Sequence, residues 1–353
     1  MAGGQGWAAT PLVPAPQGPA RCLGAEGRTP PCEAGTHRAP AFVRSSYVAL
    51  LAALVTVVLW ASAFVGIRAA GEDLSPGALS VGRLAIGSLL LGALALGRGG
   101  RWPGRAELPL LVTCGVLWFG LYNPVLNEAE QRVDAGTAAM LVNVGPVLIA
   151  LLAGLLLGEG FPRTLLVGVS IAFAGAIVIG VATAERGVAA GWGSVLCVVA
   201  AALYAGGVIA QKPLLSRASA LHITWLACLI GLVVCLPFAP QLVGELDEAK
   251  PSSIAWMVYL GIFPTGVAFT TWAYALSRTT AGRMGATTYL VPPIAILLGW
   301  AMLGESPAAL AFLGGALCLV GVVIARRQAL QVRGGRGVSA RSWYRSARRR
   351  EAA

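Results

Sequence analysis

An all-α integral membrane protein of ten transmembrane helices, arranged as two inverted-topology five-helix repeats, is the fold this sequence predicts, on three observations. The first is composition. Of 353 residues, 57% are hydrophobic and 12% charged, and the mean hydropathy is +0.75, too little polar surface to clothe a water-soluble globule of this length. The second is duplication: Ala135–Glu159, AGTAAMLVNVGPVLIALLAGLLLGE, returns 146 residues later as Ala281–Glu305, AGRMGATTYLVPPIAILLGWAMLGE, with eight of 25 positions identical. The third is loop charge. Arg98, Arg101, Arg105 and Glu107 follow the second apolar segment, whereas Glu245, Asp247, Glu248 and Lys250 follow the seventh. Equivalent loops of opposite sign belong on opposite membrane faces, as an odd number of spans per repeat also requires.

Taken in order, residues 1–45 carry seven prolines and no apolar run, which predicts a disordered tail without a secretory leader. The first repeat, 46–182, holds apolar segments at Tyr47–Ile67, Pro76–Leu96, Leu108–Leu126, Ala135–Leu157 and Thr164–Val181. The second, 190–326, holds Gly191–Ala210, Leu221–Phe238, Ile254–Leu276, Gly282–Leu303 and Ala308–Ala325. Each is long enough to cross roughly 30 Å of hydrocarbon as a helix. A basic tail, 327–353, ends the chain. With ten spans, 21 of the 26 Lys and Arg fall on the side of the tails and four on the other, so both termini are expected in the cytoplasm of a plasma-membrane protein, their arginines against anionic lipid.

Several classes are excluded. The basic residues sit in tails and loops rather than on an interleaved basic and aromatic face, so no nucleic-acid partner is expected. The seven cysteines lack clustered spacing, which argues against disulfides and metal. No GxxxxGK[ST] or HExxH is present, and the two histidines are His37 and His222; neither an enzyme nor a cofactor is expected. Gly168 and Gly175 recur at the 146-residue interval as Gly314 and Gly321, small residues that let helices approach closely, within the chain or across a homodimer.

Polar residues inside the spans mark the candidate site. Asn123, Asn127 and Glu130 share one face of the third span, and Pro124 should bend that helix and free the Gly120 carbonyl. The stripe is read either as a cavity wall with a proton site at Glu130, or as the start of an external loop in which Glu128 and Glu130 join Arg132 and Asp134. Arg83 lies eight residues inside the second span, where an unpaired charge costs roughly 2.5–3.5 kcal/mol, so it needs a partner or water; Glu130 and Glu128 are the candidate partners, in an ion pair that would be a structural tie. Asn143 and Tyr289 are equivalent in the repeat, each three residues before a proline, Pro146 or Pro292; they form either a midplane site or an interhelical hydrogen bond. Trp60 and Tyr204 align 144 residues apart as cavity aromatics, Trp272 and Tyr274 read as interfacial anchors, and Thr287 and Thr288 as packing residues. Glu159 and Glu305 each precede a helix whose N-terminus their charge suits.

Span one, VVLWASAFVGIRAA with Trp60 and Phe64, span two, GRLAIGSLLL with Arg83, and the proline-centred spans four and nine, ending in Gly158-Glu159 and Gly304-Glu305, resemble EamA-type members of the drug/metabolite transporter superfamily over roughly residues 47–325. The resemblance implies a ten-helix carrier with a central cavity between inverted halves, moving a small metabolite, amino-acid-like or drug-like, and commonly outward. Two other readings stand beside export by alternating access: a non-transporting scaffold or sensor with a dry centre, and a flippase for a lipid-linked substrate.

Overall fold

The computed structural model describes residues 41–156, 163–184, 187–278, 284 and 287–335. Between short connections the described chain is helical, as a backbone surrounded by lipid must be if its N–H and C=O groups are to find partners within the segment. Helix α1 spans Ala41–Ala70 and α2 Pro76–Gly97. Helices α3, Leu108–Cys114, and α4, Tyr122–Glu130, are joined by a π-helical turn, Gly115–Leu121. Next come α5, Ala135–Val142, α6, Gly145–Leu156, and α7, Arg163–Ala184. The second half begins with α8, Val188–Leu214, and α9, Ala220–Cys235, which a 3-10 turn links to α10, Ala239–Leu246. Helices α11, Pro251–Leu260, and α12, Ala268–Arg278, flank a second π-helical turn, Gly261–Val267. A 3-10 turn, Thr288–Leu290, then leads into α13, Val291–Leu303, and α14 covers Ala309–Gly335.

Six of the described helical segments are long and apolar enough to cross a membrane, by length and composition. Outward side chains of these and the shorter apolar helices agree: Leu89, Leu155, Leu297 and Trp300 are each more than 60% exposed, a belt that water would not tolerate and lipid favours. The chain is an all-α, multi-pass membrane protein.

Two tail boundaries move. Helix α1 begins at Ala41, inside the segment expected to be disordered, and α14 continues to Gly335, nine residues past the expected end of the second repeat. A helix already nucleated by its lipid-facing stretch extends one residue per hydrogen bond, so composition alone underestimates its length.

The expected uniform spans are interrupted instead, and at matching places. The two π-helical turns lie 146 residues apart, and each closes with a bond from residue i to i−5, Tyr122 N–H to Leu117 O and Ala268 N–H to Phe263 O. The gap after Val142, at Asn143 and Val144, likewise corresponds to the 3-10 turn at Thr288–Leu290.

Tip contacts sort the loops into two ends. At one, Arg68 Nε donates to Glu305 at 2.7 Å, Ser75 N–H donates to Glu245 at 2.8 Å, and Lys250 Nζ lies 3.5 Å from both Glu72 and Asp73. Here the Ser253 hydroxyl, donating at 2.6 Å, holds the Asp73 carboxyl below its ordinary pKa against the opposing effect of desolvation, with the Lys250 amide and charge assisting. At the other end, Arg217 pairs with Glu107 at 3.0 Å and Ser219 N–H donates to the Arg101 carbonyl at 2.9 Å.

Helices α7 and α14 pack backbone to backbone. A Cβ added at Gly175 would fall 2.5 Å from the Gly314 carbonyl oxygen, and one at Gly314 would fall 2.6 Å from that of Gly175. These two glycines therefore serve an intrachain contact between the halves.

Candidate functional site

Helices from both halves enclose a cavity of about 60 Å³. Its apolar wall is part of a ring cluster assembled from three helices and the first π-helical turn. Trp60 of α1 lies 4.9 Å from Trp272 and 5.4 Å from Phe269 of α12, centroid to centroid, 6.2 Å from Trp118 in the π-helical turn, and 6.4 Å from Tyr204 of α8. The contacts with Trp118, Tyr204 and Phe269 are edge-to-face, the arrangement the ring quadrupoles favour. Trp60 and Tyr204 thus meet across the cavity. Trp118 turns inward because the π-helical turn inserts an extra residue and rotates the side chains that follow.

The polar part of the lining includes Arg83, Asn143 and Thr288. Arg83 is 4% exposed; its Nε donates to the Thr265 hydroxyl at 3.3 Å, and its Nη1 has no hydrogen-bond partner within the protein. The expected ion pair is replaced by this contact: among the described residues no carboxylate lies within 4 Å of the guanidinium. Asn143 sits where α5 ends, its backbone N–H closing on the Ala139 carbonyl, and its Nδ2 also lacks a partner. Pro146 and Pro292 each fall in the first turn of the helix after an interruption, α6 and α13, where a missing N–H is harmless.

The third-span stripe faces inward without lining the cavity. Pro124 cannot donate, so the Gly120 carbonyl loses its usual partner and accepts from the Cys235 thiol at 3.2 Å, while one residue earlier Asn123 Nδ2 donates to the Phe119 carbonyl at 2.7 Å. Asn127 Nδ2 ties α4 to α2, donating to the Pro76 carbonyl at 3.1 Å and the Ser80 hydroxyl at 2.9 Å. Glu130 is fully buried with neither carboxyl oxygen hydrogen-bonded, while its backbone carbonyl accepts from Arg68 at 2.9 Å. Glu128 is peripheral and pairs with Arg132 one turn on.

Three other readings change. Trp272 is 1% exposed inside the ring cluster rather than anchoring the interface, whereas Tyr274 lies under the Arg278 guanidinium at 4.4 Å near the end of α12. Thr288 lines the cavity. Glu305 does meet a helix N-terminus, but that of α5, accepting from Ala135 N–H at 3.2 Å, rather than the helix that follows it. Gly304, in the left-handed region at φ 66°, ends α13 and turns Glu305 back toward Arg68. Glu159 and the Tyr289 side chain lie outside the described residues.

Next to the cavity is a separate polar vestibule of about 380 Å³, with Arg68, Glu72, Gln131 and Glu305 in its wall. Consecutive residues divide the two spaces: Ile67 lines the cavity, Arg68 the vestibule. Sequence reasoning missed Trp118, Tyr122 and Phe269 in the lining because nothing local distinguishes them from apolar core; the signal available was their clustering at equivalent depths of spans three and eight.

Comparison with known proteins gives the following. A family model described as the EamA-like transporter family matches residues 47–181 and again 191–327. A relative from Streptantibioticus cattleyicolor, named a probable terminal-alkyne amino-acid exporter, is 38% identical over 285 residues, 80% of this chain and 94% of its own length. An uncharacterized transporter of Bacillus subtilis, YdfC, is 30% identical over 75% of this chain and 86% of its own. A solved crystal structure covering 78% of this chain and 96% of its own, with a TM-score of 0.55 and 21% identity, shares the fold.

Proposed function

From the premise that the chain belongs to the EamA-like transporter family, we propose that it exports a small amino-acid-like or drug-like metabolite across the plasma membrane by alternating access through the central cavity. Membership makes it a secondary-active small-molecule membrane transporter. The observation that carries the finer reading is a buried cavity, walled by both halves, that contains an arginine and an asparagine with unused donors. A close-packed scaffold has no use for such groups, whose burial without a partner costs about 1–3 kcal/mol each.

The architecture in this reading is ten spans in two inverted repeats, with both termini cytoplasmic. The 146-residue recurrence of the π-helical turns and of the break before each proline supports it. The cavity, at about 60 Å³, is well below the roughly 300 Å³ at which small-molecule sites begin. We therefore take the described state as constricted around the site, one that widens as the halves rock. Trp60 and Asn143 from the first half and Tyr204 from the second contact substrate, and Tyr289, the repeat equivalent of Asn143, is the remaining candidate. Asn123 and Asn127 support the wall, Pro124, Pro146 and Pro292 locate the flexible breaks, and Glu130 is the proton site, with Glu128 at the rim. The name of the Streptantibioticus relative favours the amino-acid-like class.

The test compares internal and external metabolites in cells with and without the chain, then measures efflux of the leading compound from proteoliposomes. Selective external accumulation together with efflux is expected. An unchanged metabolite profile and no efflux would retire the reading.

A further inference from the structure

We infer that Arg83 is the carboxylate anchor of the transport site, and that the substrate is a small monocarboxylate of the amino-acid class with a slender apolar tail. The inference rests on the cavity being the substrate site. Its ground is the sign of the unused groups there. Arg83 Nη1 and Asn143 Nδ2 are both donors, both buried, both without a partner in the protein, and both residues line the same space. Two donors, one carrying a full positive charge, call for an acceptor-rich anion.

Among the described residues no carboxylate hydrogen-bonds Arg83, although Glu130 is near enough for the two charges to act on each other. Arg68 already takes Glu305 at 2.7 Å and Arg132 takes Glu128. Glu130 makes no hydrogen bond through either oxygen. The one bond Arg83 does make, through Nε to Thr265, fixes the guanidinium plane and leaves its outer edge available. That edge presents parallel N–H groups whose spacing matches a carboxylate.

The rest of the wall fits the remainder of such a molecule. Trp60, Trp118, Tyr204 and Phe269 form an aromatic sleeve with neighbouring centroids 5.0–6.4 Å apart. Their faces attract an ammonium and shelter a thin hydrocarbon chain. A cation without an acid group would instead meet Arg83 at close range and be repelled.

The test uses the purified full-length chain in nanodiscs and follows the fluorescence of the cavity tryptophans. The probes are propargylglycine and L-leucine, each with its methyl ester and its decarboxylated amine. An acid should bind at least 10-fold more tightly than its own ester and amine. In Arg83→Gln the acid should lose roughly 10- to 100-fold, the range for a charged hydrogen bond, while ester and amine, freed of the guanidinium's repulsion, should bind no more weakly than to the wild type; Arg83→Lys should fall between for the acid.

Equal affinity for acid and ester, an equal loss of all probes in Arg83→Gln, or a wild-type protein that responds to neither acid would overturn the anchor. The acid–ester comparison needs only wild-type protein and so stands if a variant fails to fold. Selective binding of the acid without efflux from proteoliposomes would sink transport and keep the anchor; efflux that ignores the carboxylate would do the reverse.

Discussion

Removing the Glu305 side chain should open the cavity toward the vestibule. Its carboxylate makes two bonds that join three parts of the chain: Oε1 accepts from Arg68 Nε at 2.7 Å, and Oε2 from Ala135 N–H at 3.2 Å. Arg68 in turn donates to the Glu130 carbonyl at 2.9 Å. Helices α1, α4 and α5 and the end of α13 are thereby latched together beside the boundary between cavity and vestibule. Charge-assisted bonds are worth about 1.5–3 kcal/mol each when buried. The two side chains are 33% and 20% exposed, so solvent screening reduces each to about 1 kcal/mol. Glu305→Ala then weakens the latched form by about 2 kcal/mol, a shift in the opening equilibrium of roughly 30-fold.

The assay is the reaction rate of a cysteine placed at Val142, in the cavity wall, with a membrane-impermeant thiol reagent. The background should lack the native thiols, of which Cys114, Cys197, Cys228, Cys235 and Cys318 are buried. When opening is rapid and rare, labelling follows the open fraction, so the rate should rise roughly 30-fold in Glu305→Ala and less in Glu305→Gln, whose amide still accepts one bond. Arg68→Met should act in the same direction, and the double variant should add less than the sum of the two. An unchanged labelling rate in Glu305→Ala, with the protein still folded, would refute the latch.

Three further outcomes are expected. Asn123→Leu removes the buried side-chain donor to the Phe119 carbonyl in the first π-helical turn and should lower stability by about 1 kcal/mol or more in thermal melts; no change would mean that the turn does not need this bond. Asp73 has a lowered folded pKa, so its contribution is fully present above the unfolded value near 3.8 and is lost as pH falls through the lowered one. Asp73→Asn should accordingly flatten the acid limb of a melting-temperature profile taken from pH 5 downward, and a limb of unaltered steepness counts against the Ser253 bond. Gly175→Val places side-chain atoms against the Gly314 carbonyl and should abolish a monodisperse elution peak, whereas Gly97→Ala, with open space around it, should not.

What was legible in the sequence was whatever a linear pattern encodes. Apolar run length located the helices, and the 146-residue interval related the two halves. The π-helical turns were not legible, because GVLWFGL and GIFPTGV are apolar strings that suit an ordinary helix; the extra residue is set by packing and by which carbonyls find donors. That blindness misassigned Asn123, whose amide repairs the turn. It also misassigned Trp272, which counting from the span end placed at the interface: the altered register and the continuation of α12 to Arg278 bring it against Trp60. The Arg83–Glu130 pairing failed for a different reason. Depth along two helices shows that charges lie at similar levels but leaves their facing undetermined, and Thr265 on the second π-helical turn reaches Arg83 first.

The two halves share a backbone plan and divide the chemistry. Gly120 and Gly266 are equivalent, but the first carbonyl, which Pro124 cannot serve, takes the Cys235 thiol from α9, whereas the second accepts the Thr270 hydroxyl on its own helix, at 2.7 Å. At Arg83 the divergence is complete, since Leu229 stands 146 residues on. A carrier with symmetric polar lining would offer a bound molecule the same contacts from either half, and an anion no preferred orientation. One guanidinium on one side of a pseudo-symmetric cavity gives a carboxylate a single place to bind while leaving the hinges in register. In the proposed mechanism the duplication supplies the motion, and its breakdown at Arg83 supplies the selectivity. On this argument a second arginine introduced by Leu229→Arg should not create a second site, because the facing element there offers no counterpart to the Thr265 bond that fixes the first. Carboxylate binding at a stoichiometry of two in that variant would show that position alone, without a positioned donor plane, suffices.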